Sequence, residues 1–229
     1  FSTERGLTQR QVTEAVGRGV CRGMEEHPSL RLGLILCCMR GDDRETERRN
    51  RETVELAAEM KDGGIVCGVD LAGAEEIYDT GLFRDLFAQV RRYGLNRTIH
   101  AGEAAGPDSV WKALELGAMR IGHGIAAAKD EKLMQELADR KIPLEVCITS
   151  NVQTKGVPSL EEHPIRKLYE AGVRVTINTD NRTVSDTTMT KELRLAREVL
   201  GFQEEDIRRM EEYAAEGSFL GRQTGRSRG

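Results

Sequence analysis

Short apolar runs alternate with stretches of helical length from one end of the chain to the other. Six runs rich in apolar and β-branched residues predict strands, at 30–39, 65–71, 97–100, 119–124, 142–148 and 173–178. The stretches between them, at 45–60, 82–93, 109–116, 131–140 and 161–171, have the spacing of amphipathic helices. Because consecutive parallel strands need such crossovers, the alternation predicts an α/β fold built on a parallel sheet.

Polar residues that could carry chemistry follow the predicted strands. They are Asp70, His100, His123, Ser150, Asn151 and Asp180. An open doubly wound sheet and a (β/α)₈ TIM barrel both bind ligands at that edge of the sheet. An open nucleotide-binding sheet normally has a glycine-rich turn after its first strand, whereas the G-x-G at a strand end here has His123 at its centre and no third glycine in register. The pattern therefore favours the barrel.

A closed barrel of this type needs eight strands, which is more than this chain provides. Residues 9–18 predict a helix with no strand before it, and two further helices, at 190–199 and 204–215, follow the last strand. We therefore expect an incomplete barrel that lacks the first strand and most or all of the second. The expected domain is 1–220, and the basic, glycine-rich residues 221–229 are expected to be a disordered tail.

The composition indicates a cytoplasmic protein that acts on a small molecule. With 34 basic and 38 acidic residues the formal net charge is −4, which favours neither nucleic acid nor an anionic membrane as a partner. No apolar run reaches the roughly 20 residues that span a bilayer. The five cysteines form no C-x-x-C pair, and we expect reduced, buried thiols.

Three strand ends carry residues suited to metal and proton chemistry. Gly102 allows the backbone to turn after His100, so that Glu103 and the imidazole can face one pocket; surface polar residues are the alternative. His123 lies between two glycines and could approach a substrate closely, although a buried core histidine would also fit. Asp180 ends a buried strand, where a cation would offset its charge, and a helix N-cap or turn carboxylate is the other interpretation.

Five motifs in this order resemble the adenosine deaminase family over nearly the whole chain. They are Asp70-Leu-Ala-Gly73 with Glu75, His100-Ala-Gly-Glu103, Gly122-His123-Gly124, Cys147-Ile-Thr-Ser150-Asn151 and Asn178-Thr-Asp180-Asn181. They match the motifs that end the fourth to eighth strands of that family's barrel. A run of five motifs on successive strands is far more specific than any one of them.

The resemblance implies a role for each catalytic and metal-binding position. His100 and Asp180 would bind Zn²⁺, and His123 would orient and deprotonate the metal-bound water. Glu103 would protonate the purine ring. Zinc lowers the pKa of bound water to about 7, and protonation of ring nitrogen N1 makes C6 more electrophilic.

The resemblance also implies substrate-binding and supporting residues. The amide of Gly73 would bind the purine N3, and Asn181 would meet N7, where many family members carry an aspartate. An amide NH₂ can donate to N7 without being protonated, so Asn181 is chemically competent. Asp70, Ser150 and Asn151 would support these groups.

One departure from the family concerns the metal. The family's other two zinc ligands are histidines of an H-x-H motif on the first strand, and this sequence contains no H-x-H. Together with the strand count, this leads us to expect an N-terminal truncation, and little activity from this chain on its own. The remaining histidines, His27 and His163, each precede a proline and are expected on the surface.

The resemblance therefore predicts hydrolytic deamination of adenosine, and of 2′-deoxyadenosine, to inosine and ammonia in purine salvage. Within the same chemistry the substrate could be adenine or a modified adenosine. An inactive fragment, or a purine-binding relative that has lost its metal, is the alternative of a different class.

Overall fold

A computed structural model describes residues 5–220 as parallel strands alternating with helices. The strands are Leu34–Met39 (β1), Val66–Ala72 (β2), Thr98–Ala101 (β3), Arg120–His123 (β4), Leu144–Val146 (β5) and Val175–Ile177 (β6). The predicted α/β class and all six predicted strands are confirmed. The predicted tail at 221–229 lies outside the described residues.

Ten α-helices accompany the strands of the described chain. They are Gln9–Glu26 (α1), Arg44–Met60 (α2), Arg84–Arg92 (α3), Pro107–Glu115 (α4), Glu131–Asp139 (α5), Ile148–Gln153 (α6), Ile165–Glu170 (α7), Arg182–Ser185 (α8), Met189–Glu198 (α9) and Glu204–Gly217 (α10). Short 3₁₀ helices cover Lys61–Gly63, Thr80–Phe83 and Ile125–Lys129. Within residues 5–220 no helix is long and apolar enough to cross a membrane.

One compact unit contains residues 1–73, 83–97 and 218–229, of which the described part includes β1 and β2. These two strands pair in parallel, and Asp70 on β2 lies opposite Cys37 on β1. The side chain of Asp43 accepts hydrogen bonds from the amides of Glu45 and Thr46, both at 2.9 Å, and so sets the start of α2. Because β2 ends at Ala72, Asp70 lies near the carboxyl end of its strand, as predicted.

The second compact unit contains residues 74–82 and 98–217 and holds the other four strands in the order β3-β4-β5-β6. Every pair is parallel, and each strand lies beside the next strand in sequence. That sequential order is the one expected of a barrel rather than of a doubly wound sheet. Neither sheet closes on itself within the described residues.

Register in the four-stranded sheet sorts the residues onto two faces. One row, formed by Ile99, Ile121, Leu144 and Val175, is fully buried. Burying each of these side chains contributes about 1.5–3 kcal/mol. The next row begins with His100 opposite Gly122, and it faces the other way because side chains alternate along a strand. The apolar row therefore anchors the sheet and leaves His100 on the opposite face.

Two details differ from the sequence predictions. The apolar run at 142–148 gives a strand only as far as Val146, because Ile148 already begins α6 and Asn151 N–H bonds back to the carbonyl of Cys147. All five cysteines are free, but Cys37 is exposed and Cys21 only half-buried, so the expectation of buried thiols is wrong at these two positions. Cys37 and the buried Cys38 are consecutive in β1 and point to opposite faces.

Candidate active site

His123 and Glu103 meet at the carboxyl ends of β3 and β4. His123 is 2% exposed, and its Nε2 lies 3.3 Å from Oε2 of Glu103. Its backbone has φ 58°, and Gly102 turns the end of β3 with φ 75°. Because that conformation is costly for a residue with a branched or bulky side chain, glycine suits the turn that directs Glu103 back to the imidazole.

His100 packs edge-on against His123. The centroids of the two rings are 5.1 Å apart, with 60° between their planes. Gly122 makes room for this arrangement, since a Cβ at that position would lie 2.9 Å from the ring of His100. Gly122, on β4, therefore leaves space for the side chain of His100 on the neighbouring strand β3.

Asp180 follows β6 and is held by two hydrogen bonds. Ser150 Oγ donates to Oδ2 at 2.7 Å, and the amide of Asn181 donates to Oδ1 at 2.7 Å. Its backbone has φ 54°, in the left-handed region. The N-cap of α8 is Asn181, whose Oδ1 accepts from the amide of Val184 at 3.1 Å. Asp180 itself is therefore not the cap of that helix.

Helix α6 carries two of the predicted supporting residues into contact with the site. Ser150 bonds Asp180 as described, and Asn151 Nδ2 lies 2.9 Å from Nδ1 of His123. Asn151 is fully buried. Helix α6 thus fixes both a carboxylate and an imidazole.

The electrostatic surroundings favour a neutral His123. Burial lowers the pKa of His123 below its usual value, more than the nearby Glu103 carboxylate raises it. His100 lowers the pKa further, and Asp180 raises it. Glu103 and Asn151 contact His123 and His100 packs against it, so four of the predicted site residues meet here.

Glu75 is a buried site residue to which the sequence assigned no role. Its carboxylate accepts hydrogen bonds from the amides of the four residues 102–105, at 2.5, 3.1, 2.9 and 3.2 Å, and from Ser109 Oγ at 2.5 Å. Burial alone would raise the pKa of Glu75, but the Ser109 hydroxyl and these amides together lower it. Glu75 therefore holds the turn that carries Glu103. Its position two residues after Gly73 was the available signal.

His163 is buried, so the expectation of a surface residue is wrong. It is 5% exposed, and its Nε2 lies 3.4 Å from Oδ1 of Asn151. His27, the other histidine that precedes a proline, is exposed as expected.

Asp70 and Gly73 lie in the compact unit that contains β1 and β2. Asp70 Oδ1 accepts from the amide of Leu71 at 2.7 Å. Gly73 has φ 113° and is exposed, and a Cβ there would lie 3.2 Å from the amide nitrogen of Arg40. This position therefore favours glycine.

A cavity of about 750 Å³ opens beside Glu103 in the unit that contains β3 to β6. Gly102, Ile125, Thr154 and Gly156 contribute to its lining. Thr154 Oγ1 also donates to Oε1 of Glu103 at 3.0 Å. Small-molecule sites have volumes of this order, so the carboxylate lies at the wall of a space that a ligand could enter.

Two side chains have the chemistry of zinc ligands, the imidazole of His100 and the carboxylate of Asp180. Asp180 accepts a hydrogen bond from Ser150 Oγ, but each carboxylate oxygen can accept more than one bond. The carboxylate therefore keeps lone pairs that a metal ion could use. Within residues 5–220 no three His, Cys, Asp or Glu side chains are grouped closely enough to hold a metal. His100 and Asp180 are thus donors of the type that zinc binds, and the described residues alone do not form a metal site.

Known proteins resemble this chain along most of its length. The adenosine deaminase family model matches residues 1–227. Adenosine deaminase of Haemophilus ducreyi is 44% identical over 199 residues, which cover 86% of this chain and 57% of that protein. The chain thus spans a little more than half the length of this curated relative.

Solved structures show the same likeness. Adenine deaminase from Arthrobacter aurescens matches with a TM-score of 0.87 and 25% identity over 95% of this chain and 65% of its own. The Arabidopsis N6-mAMP deaminase matches with a TM-score of 0.71 and 30% identity over 82% of this chain and 54% of its own. These likenesses confirm the barrel class predicted from the sequence. With the family match along almost its whole length, the chain belongs to the adenosine deaminase family.

Proposed function

We propose that the protein hydrolyses adenosine, and 2′-deoxyadenosine, to the corresponding inosine and ammonia. The contact between His123 Nε2 and Glu103 Oε2 carries the proposal, since it pairs a buried imidazole with a carboxylate that lines a cavity of suitable size. The name of the Haemophilus ducreyi relative supports adenosine as the substrate. Five free cysteines fit a reducing cytoplasm, where purine salvage would take place.

Each site residue has a task in this proposal. Glu103 transfers a proton to ring nitrogen N1, which makes C6 a better electrophile, and His123 orients the attacking water. Of the two protons of that water, one goes to the amino group, which leaves as ammonia, and the other restores the Glu103 carboxyl. Ser150 and Asn151 hold Asp180 and His123 in place through the bonds described. Gly73 offers its amide to N3, and Asn181 offers its NH₂ group to N7, because its Oδ1 already caps α8.

Zinc is the metal we propose, with His100 and Asp180 among its ligands. When bound, it would act as a Lewis acid and lower the pKa of water at the site. The donor set supports this, because imidazole nitrogen and carboxylate oxygen are both common zinc ligands.

A substrate comparison with the full-length protein tests the proposal. With zinc supplied, the ultraviolet change of adenosine deamination should proceed with a kcat/KM at least tenfold above those for adenine and for N6-methyl-AMP. Higher efficiency with either of those two would overturn adenosine as the substrate. Zinc bound in stoichiometric amount without turnover of any of the three would overturn the deaminase proposal.

A further inference from the structure

Three buried polar side chains form a hydrogen-bonded row that ends at the site. His163 Nε2 lies 3.4 Å from Asn151 Oδ1, and Asn151 Nδ2 lies 2.9 Å from His123 Nδ1. The three side chains are 5%, 0% and 2% exposed. Since water has little access to them, the protons in this row are set by the protein groups themselves.

The direction of the row is fixed at its far end by a backbone amide. The N–H of Ile165 donates to Nδ1 of His163 at 3.2 Å. A backbone amide can only donate, so Nδ1 must carry the lone pair. A neutral imidazole has one N–H, and it must then be on Nε2 of His163. Burial supports the neutral form, because it lowers the pKa of His163 to about 4.

That N–H determines which way the amide of Asn151 points. Oδ1 of Asn151 accepts from His163 Nε2–H, so the NH₂ group is directed at His123. The reversed amide would place its NH₂ against the N–H of His163, with two donors facing each other. The row therefore ends with Asn151 donating to His123 Nδ1.

We propose that His163 is a positioning residue which, through Asn151, fixes the tautomer of His123. Nδ1 of His123 accepts in this arrangement, so its N–H is on Nε2, the atom 3.3 Å from Glu103. His123 then offers a donor to the Glu103 side of the site, which can orient the attacking water but cannot take its proton. The deprotonating role that the resemblance implies would need the opposite tautomer, which offers a lone pair. The inference rests on the proposed deamination only for its kinetic test.

The simpler interpretation is that His163 only stabilises the start of α7 by accepting from Ile165. Two substitutions separate the interpretations. In His163→Gln the amide NH₂ can occupy the place of Nε2 and still donate to Asn151. In His163→Asn the side-chain oxygen can occupy the place of Nδ1 and accept from Ile165, but nothing then reaches Asn151.

The test uses the full-length protein with zinc bound and ¹⁵N-labelled histidine. The ring nitrogens of His123 are assigned from the resonances lost in His123→Gln. In the wild type and in His163→Gln, Nδ1 should give an unprotonated signal and Nε2 a protonated one. In His163→Asn this pattern should be lost, and kcat for adenosine should fall about 10- to 100-fold with KM within threefold. A kcat close to that of the wild type in His163→Gln, which loses the bond to Ile165 but keeps the donor to Asn151, supports the proposal.

The reverse order, with the asparagine variant normal and the glutamine variant impaired, would overturn it. So would a His123 pattern that is the same in all three proteins. The ring signals do not depend on turnover. If the wild type fails to deaminate adenosine but His123 still responds to His163 as expected, the proposed function fails and the positioning role stands.

Discussion

Glu75 Oε1 accepts a hydrogen bond at 2.5 Å from the amide nitrogen of Gly102, 27 residues further along the chain. The other oxygen of the same carboxylate accepts from the three amides that follow Gly102. A buried charge with this many donors is well compensated. The orientation of Glu103 thus depends on a second carboxylate beneath its turn.

Replacing Glu75 by glutamine should destabilise the protein. The side chain would keep one acceptor, and its NH₂ group would face backbone donors that lose their partner. We expect the free energy of unfolding to fall by about 3 kcal/mol in urea titrations. The control is Glu76→Gln, an exposed neighbour that should change it by less than about 0.5 kcal/mol. Equal effects of the two substitutions would contradict the role of Glu75.

The same carboxylate predicts a pH dependence. The pKa of Glu75 is lowered in the folded protein from its ordinary value of 4.5. Its contribution to stability should therefore be complete above about pH 4.5 and be lost as the pH falls through the lowered pKa. The difference in unfolding free energy between wild type and Glu75→Gln should shrink on acidification. A difference that stays constant from pH 7 to pH 3 would count against this explanation.

Glu192 should stabilise α6 from the other side. It is fully buried, accepts from both the amide and the hydroxyl of Thr149, and accepts from Thr187 Oγ1 at 2.6 Å. In Glu192→Ala these donors lose their partner, and we expect a loss of about 3 kcal/mol by thermal or urea unfolding. Glu198→Ala, in the same helix, removes an exposed pair with Arg194 and should cost less than about 1 kcal/mol. A smaller effect at Glu192 than at Glu198 would show that α6 does not depend on it.

Gly122→Ala tests how the sheet positions His100. The new methyl group would lie 2.9 Å from the imidazole and would force the ring to move. We expect zinc affinity to weaken at least about tenfold in the full-length protein, with a stability cost of about 1–3 kcal/mol. Gly19→Ala in α1 is the control, because a Cβ there meets nothing within 4 Å. Unchanged zinc affinity in Gly122→Ala would argue against His100 as a ligand.

The sequence predicted the six strands and the position of His100, Glu103 and His123 at the ends of neighbouring strands, because strand period and strand-end chemistry are local signals. The end of β5 was missed because the apolar run continues through Ile148, and periodicity does not separate a buried strand from the first turn of a helix.

Tertiary contacts account for the other differences. His27 and His163 have the same local sequence signal, a following proline. His27 is exposed, whereas His163 is buried against α6, where its Nε2 lies 3.4 Å from Oδ1 of Asn151. Glu75 was assigned no role because most of its partners are backbone amides, which leave no pattern in the side chains.

The most direct test of the account is the rate of adenosine deamination by Glu103→Gln in the full-length protein with zinc. The variant keeps the shape of the side chain and the possible contact with Thr154, but cannot supply a carboxyl proton. We predict a fall in kcat of about 100- to 10,000-fold with zinc content and unfolding free energy unchanged. A kcat within threefold of the wild type would contradict the account.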